Sequence, residues 1–374
     1  MKVSAQAFSR IIKARGMSLA TLARRSGVPN EALDAALKGQ DDLSDEAIVK
    51  IAKELAVPIP ALFTNKDLPL VSLVDFRAAN PGTAKLKREA LQAVSFVEKI
   101  SSTFAALSID LKLDKSLTPI STNYTPQEAI KLAAKWRKKW GVGVDDQLEM
   151  RDANKLYASL RGFIENLGVI VLHKSFDDGS FSGFYTNANN GLHVIVINTR
   201  MCSKARKLFT LAHEFCHVLL RKEGTSNPSI TSNKVEKFCN KFAAYLLAPD
   251  QVIYVGLDLF RYNPSSDPNF IRIFAAKLGI SQEALVWRLV ETGHLTRRDL
   301  DKWRATFHGP TPPGDLDSGG GGQSDPLQVK RTMYGSLLLR LLGGARRRGE
   351  LDEVDIYRLC GLKPKYQNQL FEAV

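Results

Sequence analysis

His213, Glu214 and His217 stand inside the run ARKLFTLAHEFCHVLL, two histidines four residues apart with a glutamate directly after the first. Leu208, Leu211, Ala212, Phe215 and Leu219 recur through the run at helical spacing. Residues four apart on a helix lie about 40° apart in projection and one turn along the axis, so both imidazoles can reach one ion. Glu214 lies beside them, where it can take a proton from water without filling a ligand position. Burying two imidazoles and a carboxylate in so apolar a helix is costly unless something pairs them, and a metal is the simplest partner.

A zinc ion with three protein ligands and one open position needs another donor. Glu236, in NKVEKFCNKFAAYLLAP, is the best candidate. Cys239, Asn240, Ala243 and Leu247 follow on its side of a helix, mostly small residues that let two helices approach closely. Cys239 is the rival ligand, since a thiolate also binds zinc. Two histidines and one carboxylate leave net positive charge on the ion and make the stronger Lewis acid. Cys216 and Cys239 read either as a redox pair or as two small core side chains.

These residues need a scaffold. LHVIVIN, Leu192 to Asn198, is apolar at nearly every position and reads as a strand buried on both faces, positioned to bind substrate backbone as an added strand. His193 at its start reads as a structural or surface histidine. GVIVLH, ending at His173, reads as a second strand after a helix that begins near Arg151. PQEAIKLAAKWRKKWGV reads as a helix with Ile130, Ala133, Ala134 and Trp140 toward a core and a solvated basic face. FIRIFAAKLGISQEALVWRLVETGHL reads as two helices around Gly279, the second capped by Ser281. GPTPPGDLDSGGGGQSDP is too poor in apolar residues to pack and reads as a linker. The tail after it, with LLLRLL and ARRRGE, reads as a docking surface or partner helix.

The N-terminal stretch reads as a bundle of short helices. Ser18 caps one through Leu22, Gly27 breaks it, Asn30 to Lys38 forms the next, and Ser44 caps a helix carrying Ile48, Ile51 and Leu55. From SLATLARRSGVP to LAVPIPALF this bundle resembles the XRE-type helix-turn-helix module. That resemblance implies that NEALDAALK enters the major groove. Glu31 and Asp34 in it would be repelled by phosphate, so Arg10, Lys13, Arg15, Arg24 and Arg25 are the candidate DNA contacts. A bundle used for protein contact or dimerisation is the other reading.

Length and composition bound these readings. A chain of 374 residues, 44% hydrophobic, holds one sizeable catalytic core and small modules. The 52 Lys and Arg against 39 Asp and Glu, a net charge of +13, favour nucleic acid or an acidic partner. Cys202, Cys216, Cys239 and Cys360 form no CxxC pair, which argues against a disulfide framework and a thiolate zinc site and fits a reducing cytoplasm. The start is amphipathic with no apolar core for a secretory signal, and no run is long enough to span a bilayer, so a cytoplasmic protein is expected.

From about Pro126 to Thr306 the chain resembles the ImmA/IrrE-type metallopeptidases. FTLAHE, the second histidine and ExxxNxFAAxLLxP are the most specific parts, and Ser182 to Phe184 match a recurring Gly-containing stretch. Ala248 stands where that family usually has Met, and Cys216 where Gly is common. The resemblance implies one Zn2+ per chain held by His213, His217 and Glu236, with Glu214 as base. It further implies narrow cytoplasmic proteolysis of a repressor, usually itself a helix-turn-helix protein, that derepresses mobile-element or stress-response genes. A DNA-binding regulator using the zinc domain as a sensor, or a toxin or defence protease, would carry the same residues. The expected fold is α+β and mostly helical: a helix-turn-helix bundle over 1–68, connector helices over 69–117, a zincin-like domain with a small sheet over 118–308, a linker over 309–328 and a helical unit over 329–374.

Overall fold

The computed structural model describes residues 2–65, 88–109, 111, 113–175, 182–188, 191–200, 203–222, 224–226, 234–306 and 325–372. Most of the expected linker, residues 309–324, and Cys202 lie outside them. The architecture is α+β and mostly helical, with one small sheet among the described residues.

Four short helices open the chain: α1 (Ala5–Ala14), α2 (Leu19–Ser26), α3 (Asn30–Leu37) and α4 (Asp45–Leu55), followed by a 3-10 turn at Ile59–Leu62. Ser4, Ser18 and Ser44 cap three of them by accepting from the backbone N–H three residues on. Gly27 ends α2 with φ 69°, a left-handed conformation in which a side chain would be strained. Phe8, Ile11, Leu22, Leu33, Ile51 and Leu55 fill the bundle's interior. α5 (Arg88–Ala106) packs on this bundle, and its Glu98 accepts both arms of the Arg15 guanidinium at 2.6 Å.

The central region begins with α6 (Pro126–Trp140), α7 (Val144–Met150) and α8 (Ala153–Asn166). Thr125 and Glu128 form a capping box at the start of α6. The buried side of α6 is Ala129, Leu132, Ala133, Trp136 and Trp140; Ala134, expected in the core, is exposed. Trp136, wholly buried against Phe163 and Phe215, sets that rotation, because the largest side chain claims the interior.

The sheet comprises β1 (Ile170–Lys174), β2 (Gly183–Ala188), β3 (Leu192–Asn198) and β4 (Gly224–Ser226) in the order β1-β3-β2-β4. β3 is buried at every position, as its composition requires, and pairs parallel with β1 and antiparallel with β2. It is therefore central, with both edges paired, and cannot accept a substrate strand; the expectation that it would is corrected. Strand alternation sends Val171, Tyr185, Ile195 and Ile197 to one face and Ile170, Leu172, Phe184, Val194 and Val196 to the other.

The first face receives α9 (Lys204–Leu220) and, beyond it, α10 (Lys234–Leu247). Gly183 lies where β2 meets α9: a Cβ there would stand 2.8 Å from both Thr210 Cγ2 and the Val196 carbonyl oxygen. Gly183→Ala should therefore lift the helix from the sheet and cost about 1–3 kcal/mol, read as a lower urea midpoint. An unchanged midpoint would mean that the helix does not rest on this glycine. Further helices, α11 (Asp250–Leu259), α12 (Pro268–Leu278), α13 (Gln282–Glu291) and α14 (Arg297–Thr306), complete this layer, with Gly279 ending α12 at φ 69° and Ser281 capping α13.

The second face is covered by α5 and by the tail, α15 (Pro326–Arg347), α16 (Glu353–Cys360) and α17 (Pro364–Glu372). Leu337, Leu338, Leu339 and Leu342 are buried in the same cluster as Ile170, Leu172 and Val194. LLLRLL is thus already docked within the chain. At the kink in α15, Gly335 adopts φ 73°, and a Cβ there would meet Glu165 Oε1 at 2.0 Å. The close approach lets Glu165 accept the Ser336 N–H at 3.0 Å while Arg161 donates to the Thr332 carbonyl at 2.7 Å. No described helix is long and apolar enough to cross a membrane.

Candidate metal centre

α9 starts from a Ser203 cap and ends at Arg221, whose left-handed φ of 52° turns the chain back over the last turn. His213, Glu214 and His217 lie on its buried side, each no more than 1% exposed. α10 crosses α9 through small side chains, Cys239 and Ala243, both wholly buried. Its C-terminal end is pinned from three directions. Arg137 donates to the Leu246 carbonyl at 2.8 Å, Gln147 to that of Leu247 at 2.9 Å, and Arg288 to that of Ala248 at 2.7 Å. These bonds satisfy carbonyls that a helix end leaves open and hold α10, and so Glu236, in place. Burial pushes the Arg137 guanidinium down to about 10.

The side chains meet at one point. His213 Nε2 and His217 Nε2 are 3.1 Å apart, and the Glu236 carboxylate lies 3.2 Å from each of them. The other ring nitrogens face away: His213 Nδ1 bonds Asn240 Oδ1, and His217 Nδ1 bonds the Lys222 carbonyl, both at 2.9 Å. Carbonyl oxygens only accept, so each Nδ1 carries a proton, and each ring turns its Nε2 toward its neighbour. Glu236 Oε2 is buried and accepts no hydrogen bond. Two imidazole nitrogens and a carboxylate crowded together call for positive charge between them, as a proton or a cation. Donors about 2.0–2.2 Å from a tetrahedral ion stand roughly 3.3–3.5 Å from one another, close to the separations here. The residues therefore fit a divalent cation of zinc's preferences.

The electrostatics point the same way. Burial opposes charge on His217, yet Cys239, Glu236 and Glu214 around it hold the imidazole well above its ordinary value. Burial would raise the Glu236 carboxyl, but the two imidazoles hold it below the usual carboxylate range. The pocket draws in positive charge. Burial and the neighbouring Cys216 thiol push the Cys239 thiol up. Cys239 Sγ and a ring nitrogen of each of His213 and His217 all lie within 4.8 Å of one another.

Of the four residues expected at the centre, His213, His217 and Glu236 meet at 3.1–3.2 Å, and Glu214, buried next to His213 on α9, is near enough for its charge to act on His217. His193 is a buried structural histidine: Tyr185 Oη lies 2.6 Å from its Nδ1, Arg221 packs on the ring, and burial followed by the Arg221 charge lowers it to about 4. Sequence reasoning took Asn240 only as a small residue in a seam, and here it orients His213. Its signal was the spacing, since a residue four after Glu236 shares its face and an amide there can reach a ligand's second nitrogen. Arg288, wholly buried in VWRL, was legible only as an arginine among apolar neighbours. Asn240→Ala should weaken metal binding 10–100-fold, measured by competition with a chelating dye. An unchanged affinity would remove Asn240 from the site.

Residues 164–290 match the family model of peptidase family M78, the IrrE N-terminal-like domain. The match runs from the end of α8 through α13 and includes both helices of the centre. Residues 9–62 match the helix-turn-helix family model, so a DNA-binding type of module precedes the IrrE N-terminal-like domain. No curated protein and no solved structure matches the chain.

The candidate DNA contacts are less uniform. Lys13 and Arg24 are exposed, and Arg10 and Arg25 are half-buried. Arg15 is corrected: its side chain is wholly buried, held by Glu98 and by the Leu55 carbonyl at 2.8 Å. It is a structural pin between the bundle and α5 and cannot reach phosphate. On α3, Glu31 is exposed and Asp34 pairs with Lys38 at 2.6 Å.

Proposed function

We propose that this chain is a zinc-dependent endopeptidase in which His213, His217 and Glu236 hold the metal and Glu214 is the general base. The observation carrying this reading is the convergence of two Nε2 atoms and the Glu236 carboxylate at 3.1–3.2 Å, with both Nδ1 atoms bonded elsewhere. Zinc bound there would supply Lewis acidity, polarising a peptide carbonyl and acidifying water. Glu214 takes the proton from the attacking water and returns it to the departing amine nitrogen. Asn240 and the Lys222 carbonyl hold the imidazoles in the tautomer that offers Nε2. Leu211, Ala212, Phe215 and Val218, buried beside these residues on α9, keep bulk water from the proton transfer.

A substrate backbone can add only at a sheet edge. β4 is such an edge and begins two residues beyond Lys222, whose carbonyl orients His217, so it is the strand from which an extended peptide would reach the centre. The pairing of peptidase and helix-turn-helix modules supports a protein substrate of the repressor type, cleaved in the cytoplasm to derepress stress, mobile-element or defence genes. The proposed division is 1–68, 69–117, 118–308, 309–328 and 329–374. The tail over 329–374 acts as the support for the sheet's second face.

Elemental analysis of the purified full chain should find one zinc per chain, and none in His213→Ala. The zinc-loaded chain should cut a helix-turn-helix repressor encoded beside it into two fragments. Absence of a transition metal, even when one is offered, would overturn the enzymatic reading. A DNA-binding regulator with a metal sensor is the second reading, favoured by the helix-turn-helix match and by exposed Lys13 and Arg24.

A further inference from the structure

The thiol of Cys239 plays no part in the chemistry above, yet it stands at the centre. It lies three residues after Glu236 on the same side of α10, is wholly buried, and is not in a disulfide. Its Sγ lies within 4.8 Å of a ring nitrogen of each of His213 and His217. A zinc-bound sulfur stands roughly 3.5 Å from zinc-bound nitrogens, because Zn–S is about 2.3 Å and Zn–N about 2.0–2.1 Å. The present separation, at most 4.8 Å, is therefore no more than roughly 1.3 Å wider than ligation requires. A buried thiol one turn from a ligand carboxylate also has no solvent to compete for it. The buried Glu236 Oε2 accepts no hydrogen bond and lies 3.2 Å from His213 Nε2.

Resting on the zinc reading, we propose that Cys239 is a fourth protein ligand that closes the centre into a latent state. On ligation the S–H bond breaks, a sulfur–zinc bond forms and the proton leaves to solvent. Two neutral imidazoles, one carboxylate and one thiolate bring the charge of the centre to zero and fill the position that water needs. Catalysis then requires the zinc–sulfur bond to break, the sulfur to take a proton back from solvent and water to fill the vacated position, so rotation of the Cys239 side chain about its Cα–Cβ bond on substrate docking, with α10 and Glu236 in place, would control activity at the metal itself. Cys216, on α9 beside Cys239, is the neighbour onto which the released thiol falls back.

The test is X-ray absorption at the zinc edge on the zinc-loaded full chain. Wild type should show a sulfur shell at about 2.3 Å beside nitrogen and oxygen at about 2.0–2.2 Å. Cys239→Ser should lose the sulfur shell while retaining one zinc per chain, and Cys216→Ala should keep it. Zinc bound in wild type with nitrogen and oxygen only would overturn the closed centre and leave the peptidase reading standing. A sulfur shell that survives Cys239→Ser and vanishes in Cys216→Ala would overturn it by assigning the ligand to Cys216. Failure of wild type to bind zinc at all would overturn both readings.

Discussion

Glu214→Gln should keep zinc at one per chain and lower the rate of substrate cleavage by roughly 10²- to 10⁴-fold, the usual contribution of a positioned proton acceptor. Glutamine has the shape of glutamate and can still hold a water by hydrogen bonding. It cannot take a proton. The metal should be unaffected, because the proposed ligands are His213, His217 and Glu236, and Glu214 is on α9 with its side chain wholly buried beside His217. The measurement is kcat/KM on one cleaved repressor for both proteins at equal zinc content. A variant as fast as wild type would remove Glu214 from the chemistry, and one that loses zinc would make it a ligand.

Arg15→Ala should cost about 3–5 kcal/mol of stability, the range for breaking a buried ion pair by removing one partner. Glu98 is 7% exposed and would lose both 2.6 Å bonds, and the Leu55 carbonyl at the end of α4 would lose its donor. The consequence reaches beyond the N-terminal bundle, since α5, which carries Glu98, also lines the second face of the sheet. Urea unfolding followed by circular dichroism reads the effect. Exposed Arg24 gives the contrast: Arg24→Ala should change stability by less than about 0.5 kcal/mol and reduce the salt dependence of DNA binding by about one phosphate contact. Should Arg15→Ala instead unfold like wild type and lose only DNA affinity, the buried pin is the wrong description.

Much of the centre was legible because helices impose their own spacing. His213 and His217 share a face whatever surrounds them, and the apolar residues between them announce burial. Glu236 was reachable for the same reason, from the small residues Cys239 and Ala243 that permit a close crossing. The strand at 192–198 was read as buried on both faces, and it is. Its composition, however, could not say whether its hydrogen-bonding edges were open, because side chains report on the faces of a sheet and not on its order. β3 is central, and the edges of the described sheet are β1 and β4, the latter with three residues, GTS, that carry no strand pattern.

Arg15 shows the opposite limit. In sequence it is one of several basic residues around a helix-turn-helix, indistinguishable from Arg24. Only packing against α5, more than seventy residues away, turns it from a candidate phosphate contact into a buried partner of Glu98. The rotation of α6 is a milder case, where period alone allowed Ala134 inside and the bulk of Trp136 decided otherwise.

By itself the sequence determined the helices, their caps and the local placement of His213, Glu214 and His217, since these follow from backbone spacing within a few turns. The tertiary structure alone decided that the Glu236 carboxylate stands 3.2 Å from both imidazoles and the Cys239 thiol within 4.8 Å of them, that LLLRLL is spent on the sheet's second face, and that Arg15 is inside. Each of those depends on contacts between residues distant in the chain, whose meeting is set by how whole elements pack and leaves no periodic trace in either segment.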